Sequence, residues 1–169
     1  LTGSYDAAFA HVAADLTGDF GMEELTWKYL GWFYAQMKTI TVPSRAAMEE
    51  LASRGVSRER IHVQLAPVDT GMFHPAKRNG FWKTRYGLDD TCIKLLHVGR
   101  LSLKDNLDVL VDAFARLVRV RKDAHLIIVG DGPYLSTMRT KLKGLPCLFA
   151  GRLEGDDLAM AYASSDLFI

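Results

Sequence analysis

The chain has little excess charge of either sign: 21 Lys and Arg against 20 Asp and Glu leave a net charge of +1. That excludes a general polyanion binder of the histone kind, so no nucleic-acid partner is expected and any preference for anions must be local. Cysteine is scarce. Cys92 and Cys147 fit neither a disulfide framework nor a metal spacing, and both fall in or beside predicted strands, where buried reduced thiols of a cytosolic protein are expected. No apolar run approaches the roughly 20 residues of a membrane helix, and no signal-peptide pattern is present. A Gly-x4-Gly-Lys-Ser/Thr phosphate loop is missing, as are internal repeats and low-complexity segments. The five histidines, His11, His62, His74, His97 and His125, show no ligand spacing and no acid–histidine–nucleophile order. Neither a metal nor a cofactor is therefore expected.

What is present is an ordinary core-forming composition, 49% hydrophobic and 24% charged, which predicts a packed globular chain. Its most informative stretch runs from Ile93 to Pro133. An apolar run, Ile93 to Val98, breaks at Gly99-Arg100-Leu101-Ser102; a second, His125 to Val129, breaks at Gly130-Asp131-Gly132-Pro133. Between them, Leu107, Leu110, Val111, Phe114, Leu117 and Val118 fall at the spacing of one buried helical face, so a helix over Asp105–Arg121 is predicted. Strand, glycine turn, helix, strand, glycine turn is the pattern of a parallel α/β sheet. A helix from Pro133 to about Lys143, a strand Cys147–Ala150, a short helix Gly155–Ala163 and a strand opening at Leu167–Ile169 continue it.

Upstream, Leu1 to Thr17 reads as loop with at most one short helix. Asp19 caps a predicted helix Met22–Lys38, whose aromatic stripe (Trp27, Tyr29, Trp32, Phe33, Tyr34) is expected to pack in the core, with a membrane-surface or acceptor-binding role as the alternative. Thr39–Val42 and Ile61–Leu65 read as short strands, separated by a helix Arg45–Arg54 capped by Ser44 and closed by Gly55. From Ala66 to Gly80 the prolines and glycines mark a linker, and Phe81–Gly87 reads as one more helix.

Several motifs take plain readings. The turn at Gly130 lacks the third glycine of a dinucleotide fingerprint, since that position is Leu135. His97 and His125 read as satisfied structural residues, and Asp89-Asp90 and Asp156-Asp157 as turn and cap residues. Arg100 and Lys104 stand apart: both follow the first strand of the parallel unit beside a helix amino terminus, where a diphosphate could take charge-assisted hydrogen bonds.

Several segments occur in order: Val68-Asp69-x-x-x-Phe73-x-Pro75, Leu96-His97-Val98-Gly99-Arg100-Leu101-Ser102 with Asn106-Leu107-Asp108, Leu126 to Pro133, Phe149-Ala150-Gly151-Arg152-Leu153, and Tyr162-Ala163-x-x-Asp166-Leu167-Phe168. Together with Val42-Pro43-Ser44, this series resembles the family-4 retaining glycosyltransferases (glycosyl transferases group 1). The resemblance covers residues 27 to 169. It implies an α/β, GT-B-like fold with parts of two Rossmann-like domains: 1–66 the end of the acceptor-side domain, 67–90 a linker and lead-in, and 91–169 the first half of the donor-side domain, with a parallel sheet flanked by helices. It implies transfer of a sugar, with retention, from a nucleotide-diphospho-sugar donor to a carbohydrate or lipid-linked acceptor.

By the same resemblance Arg100 holds the donor diphosphate, Gly99, Gly130 and Gly132 shape the loops beside the nucleotide, and Arg152 and Leu153 bracket the base. The family's second phosphate cation lies five residues after the arginine, where this chain has Asp105; the lysine sits one place earlier, at Lys104. The linker reads Pro67-Val68-Asp69 where the family favours Gly-Val-Asp, and near the start the chain has Ser4-Tyr5-Asp6-Ala7 where many relatives carry a histidine in a Tyr-His-Thr-like motif. The family's Glu-x7-Glu segment and amino-terminal glycine loop are not in the sequence, so the chain is expected to be an inactive portion of a longer enzyme. A cytoplasmic location is expected, with peripheral association at the inner membrane face as the alternative setting. A non-catalytic nucleotide-binding or scaffolding domain and a nucleotide-sugar epimerase of the same architecture are the competing functions.

Overall fold

A computed structural model describes residues 1–5 and 20–169. The expectations on Asp6, Ala7, His11 and Asp19 lie outside the described residues. The chain divides into two compact units, Leu1–Pro67 and Val68–Ile169.

The first unit is a three-stranded parallel sheet, β1 (Thr2–Ser4), β2 (Thr39–Val42) and β3 (Ile61–Val63), in that order. Parallel neighbours need crossovers. The helices α1 (Phe20–Ala35) and α2 (Arg45–Ser53) occupy those positions in the chain. β1 lies where loop was expected. Its three residues carry too little pattern to read alone, and their order comes from pairing with β2, as in Gly3 opposite Ile40. The aromatic stripe of α1 splits: Trp27, Leu30 and Tyr34 enter the core with Tyr5, Ile40, Leu51 and Ile61, while Tyr29 and Trp32 stay exposed. The helix ends three residues before Lys38, and Arg60 supplies the missing C-terminal cation by donating to the backbone oxygens of Tyr34 and Met37. Ser44 caps α2 as expected, accepting from Ala47 N at 3.1 Å.

The second unit opens with α3 (Phe81–Tyr86) and builds a four-stranded all-parallel sheet from β4 (Ile93–Val98), β5 (Ala124–Val129), β6 (Cys147–Gly151) and β7 (Leu167–Phe168). The strand order is β6-β5-β4-β7. Three helices connect them: α4 (Leu107–Val120), α5 (Leu135–Lys141) and α6 (Gly155–Ala163). Strand residues alternate between two covered faces, as a buried parallel sheet requires. Leu95, Leu126 and Ile128 pack against Leu107, Val111, Phe114 and Val118 of α4 and Met138 of α5. Leu96, Ile127 and Val129 pack against Phe81 and Trp82 of α3 and Ala161 of α6. The order is helix, sheet, helix.

Helix α4 starts at Leu107, where its apolar pattern begins, two residues after the predicted Asp105. A 3-10 turn, Leu103–Asp105, precedes it, and Asn106 takes a left-handed conformation (φ 53°) that separates turn from helix. Both cysteines are free. Cys92 is buried and Cys147 half-buried, and burial pushes the Cys147 thiol up to about 12, which leaves it unreactive. His97 and His125 depart from their expected role. His97 Nδ1 lies 3.1 Å from the Ile169 carbonyl, but Nε2 of His97 and Nδ1 of His125 are buried without a described partner.

Asp108 at the start of α4 accepts hydrogen bonds from Lys141 and from the Tyr134 hydroxyl, tying α4 to α5. The bond from Lys141, then that from Tyr134, hold its carboxyl below the usual carboxylate range. A depressed folded-state value means this stabilisation is present above the unfolded value, about 3.9, and is lost as pH falls through the folded one. Urea melts should show Asp108→Asn less stable than the parent at neutral pH, with the gap closing in acid. A gap that persists to about pH 2 would exclude the linkage.

Candidate nucleotide crevice

The chain steps outward from β4 to β5 to β6, then returns to the other side of β4 as β7. The carboxyl end of β4 is therefore the switch point of the sheet, where open α/β folds bind ligands. Three turns meet there. Gly99 N donates to Val129 O at 3.1 Å, Gly130 N to Gly151 O at 2.8 Å, and Leu101 N to Asp131 O at 3.0 Å. The turns after β4 and β5 approach each other backbone to backbone. A Cβ on Gly130 would stand 1.9 Å from Gly99 O, and one on Gly132 would stand 2.3 Å from Leu101 O. These glycines are explained by that approach, without any ligand.

The turns enclose a crevice of about 380 Å³ lined by Val98, Gly99, Arg100, Val129, Gly130, Asp131, Arg152 and Leu153. Arg100 is exposed and makes no ion pair or side-chain hydrogen bond with a described residue. Arg152 is exposed and paired with Glu154 at 2.5 Å. Leu153 is 8% exposed and gives the β6 end an apolar floor. The structure thus brings together Gly99, Arg100, Gly130, Arg152 and Leu153 from three separate segments of the sequence. Gly132 lies behind them, supporting the Leu101 turn. Lys104 falls in the turn Leu103–Asp105. Asp105 is turned aside: its carboxylate accepts from Ser102 Oγ at 2.6 Å.

Asp131 is the lining residue that sequence reasoning passed over. Its signal was its place between two glycines directly after an apolar strand, which reads equally as an ordinary turn. A larger hollow of about 790 Å³ on the same unit is lined mainly by apolar side chains such as Phe73, Leu158 and Tyr162. Its arginine, Arg78, is engaged by Asp166 at 2.7 Å, so it offers no comparable chemistry. No group of three or more His, Cys, Asp or Glu that could hold a metal occurs among the described residues.

Two α/β units in succession, the second with its crevice at the strand ends, define the GT-B class of fold. Solved structures bear this out. The chain superposes on Anabaena Alr3699/HepE in complex with UDP and glucose with a TM-score of 0.74, at 17% identity, over 99% of this chain and 45% of that one. A glycosyltransferase from Rickettsia africae gives 0.68 at 19% identity, over 83% and 40%.

Residues 92–169 match the family model of glycosyl transferases group 1. Among curated relatives, a GDP-mannose-dependent alpha-mannosyltransferase of Mycolicibacterium smegmatis is 30% identical over 166 residues, 96% of this chain and 42% of its own length. The sulfoquinovosyl transferase SQD2 of Arabidopsis thaliana is 28% identical over 145 residues, 85% of this chain and 28% of its own length. The chain therefore spans less than half the length of these relatives.

Proposed function

We propose that the crevice of the second unit binds the diphosphate and nucleoside of a nucleotide-sugar donor, as part of a retaining glycosyltransferase that acts on a carbohydrate or lipid-linked hydroxyl. The observation that carries this reading is Arg100, a guanidinium without a partner among the described residues, at the switch point of a parallel sheet. Loss of a sugar from its donor builds negative charge on the departing diphosphate. A fixed cation in place before the bond breaks stabilises that charge with little reorganisation. The glycine-walled turns hold Arg100 on a rigid base, and the apolar Leu153 suits the flat face of a base. Relatives named for GDP-mannose and a neighbour solved with UDP and glucose support a nucleoside-diphosphate ligand.

Because the chain spans less than half of these relatives, it is expected to bind such ligands and not to transfer sugar by itself. Titration with UDP, GDP and ADP, repeated on Arg100→Ala, tests the reading. Loss of a charge-assisted hydrogen bond should cost about 1.5–3 kcal/mol, roughly a ten- to hundred-fold drop in affinity. Unchanged affinity would favour a scaffolding domain, and sugar transfer by the chain alone would overturn the expected inactivity.

A further inference from the structure

A lysine is seldom buried without a charged partner. Lys94, the second residue of β4, is 3% exposed and makes no ion pair with a described residue. Its Nζ donates to the backbone oxygens of Cys92 at 3.1 Å and Asp90 at 3.3 Å. An ammonium carries three donors, so one is left over. Lys94 lines a hollow of about 310 Å³ with Arg78, Gly80, Trp82, Asp90 and Ser164. Ser164 is 4% exposed; its Oγ accepts from Asn79 N at 3.5 Å, and its hydroxyl donates to no described residue. Two buried side chains thus line one space with a donor to spare. The nearby carboxylates are engaged elsewhere: Asp90 pairs with Lys83 at 3.1 Å, Asp166 with Arg78 at 2.7 Å, and Asp89 accepts from Thr91 N at 3.0 Å.

We infer that this hollow binds a phosphate group, as the free ion or as the end of a small monoester. Buried donors require acceptors, and acceptors are what the lining lacks. The donors come from three parts of the chain: Arg78 ahead of α3, Lys94 on β4 and Ser164 at the end of α6. A phosphate offers three or more acceptor oxygens in a tetrahedral array, which suits donors of separate origin, whereas a carboxylate offers two in one plane. Arg78 gives one N–H to Asp166 and one to Ser165 O, which leaves others of its five for a ligand. Helix dipoles do not decide the matter, because the start of α3 and the end of α6 meet there with opposite signs. The Trp82 indole, held by Ser165 Oγ at 3.0 Å, supplies an apolar wall. The hollow is distinct from the nucleotide crevice. Lys94 precedes Val98 by four residues, so the two sites lie about 13 Å apart along β4, at its opposite ends. Nothing in this inference depends on the nucleotide reading.

Amide-resolved NMR titration of the 169-residue chain with sodium phosphate and with glycerol phosphate, at an ionic strength held constant by chloride, tests this. The amides of Gly80, Lys94 and Ser164 should shift together and saturate with either ligand, and the tighter of the two identifies the form the hollow takes. Lys94→Met keeps the length of the side chain without its charge, a change that buried ion sites tolerate. It should weaken both ligands at these amides about ten-fold or more. Ser164→Ala should weaken them by a smaller factor. Shifts that do not saturate at tens of millimolar, the sign of an adventitious ion only, overturn the inference and assign the spare donors to water. Shifts confined to Gly99, Arg100 and Gly130 overturn it as well, since the ion then sits in the nucleotide crevice. So does an unaltered affinity in Lys94→Met. Should that variant not fold, the same amides in the parent and in Ser164→Ala decide.

Discussion

Gly130→Ala is expected to cost the second unit at least about 3 kcal/mol, a large share of the stability of a domain this size. Two penalties coincide at this position. The residue has φ 137°, a conformation that side-chain-bearing residues rarely adopt, and its new Cβ would lie 1.9 Å from Gly99 O. The obstacle is backbone, so no rotamer change relieves it. Relief requires parting the turns after β4 and β5, which the Gly99 N to Val129 O and Leu101 N to Asp131 O bonds hold together. Strained backbone costs about 1–3 kcal/mol, and forced overpacking a similar amount. Gly144→Ala is the matched comparison: φ is 80° there, but open space surrounds the position, so only the backbone term applies. Urea denaturation of both variants separates the effects, and a Gly130→Ala variant no less stable than Gly144→Ala would refute the close approach as the reason for this glycine.

That contact between Gly99 and Gly130 shows where sequence reasoning stops. β4, β5 and α4 are legible because each carries its pattern within itself: two short apolar runs, and a helical face through Leu107, Val111, Phe114 and Val118. β1 is not legible, because three residues mean nothing until Thr39–Val42 lies beside them. The true start of α4 depends on one left-handed residue, Asn106, that no periodicity reveals. Within α1, equal aromatic spacing hides unequal fates: Trp27 and Tyr34 meet Tyr5, whereas Trp32 meets solvent. The site divides the same way. Arg100 is readable as a cation after a strand, and its lack of a partner among the described residues is not. Asp131 becomes a lining residue only once three turns, some 20 to 50 positions apart in number, close around one space.

Leu101→Ala is expected to lose about 2–5 kcal/mol of stability, the range for truncating a fully buried leucine. Leu101 is 0% exposed and packs with Leu107, Val111, Tyr134 and Met138, although it sits in a turn next to the exposed Arg100. Its backbone is held on both sides: its N–H donates to Asp131 O at 3.0 Å, and its carbonyl accepts from Tyr134 N at 3.0 Å. The side chain therefore pins the β4 turn into the core between α4 and α5, and the position of Arg100 follows from it. Removing the pin should lower stability first and nucleotide affinity second, because the neighbouring guanidinium must then be ordered on binding. Arg100→Ala should do the reverse. An exposed arginine without a described partner contributes within about 0.5 kcal/mol to stability, so that variant should melt with the parent while losing its ligand. Urea melts and nucleotide titrations on both variants give the crossed pattern. A Leu101→Ala chain that is as stable as the parent would remove the structural basis for a fixed Arg100.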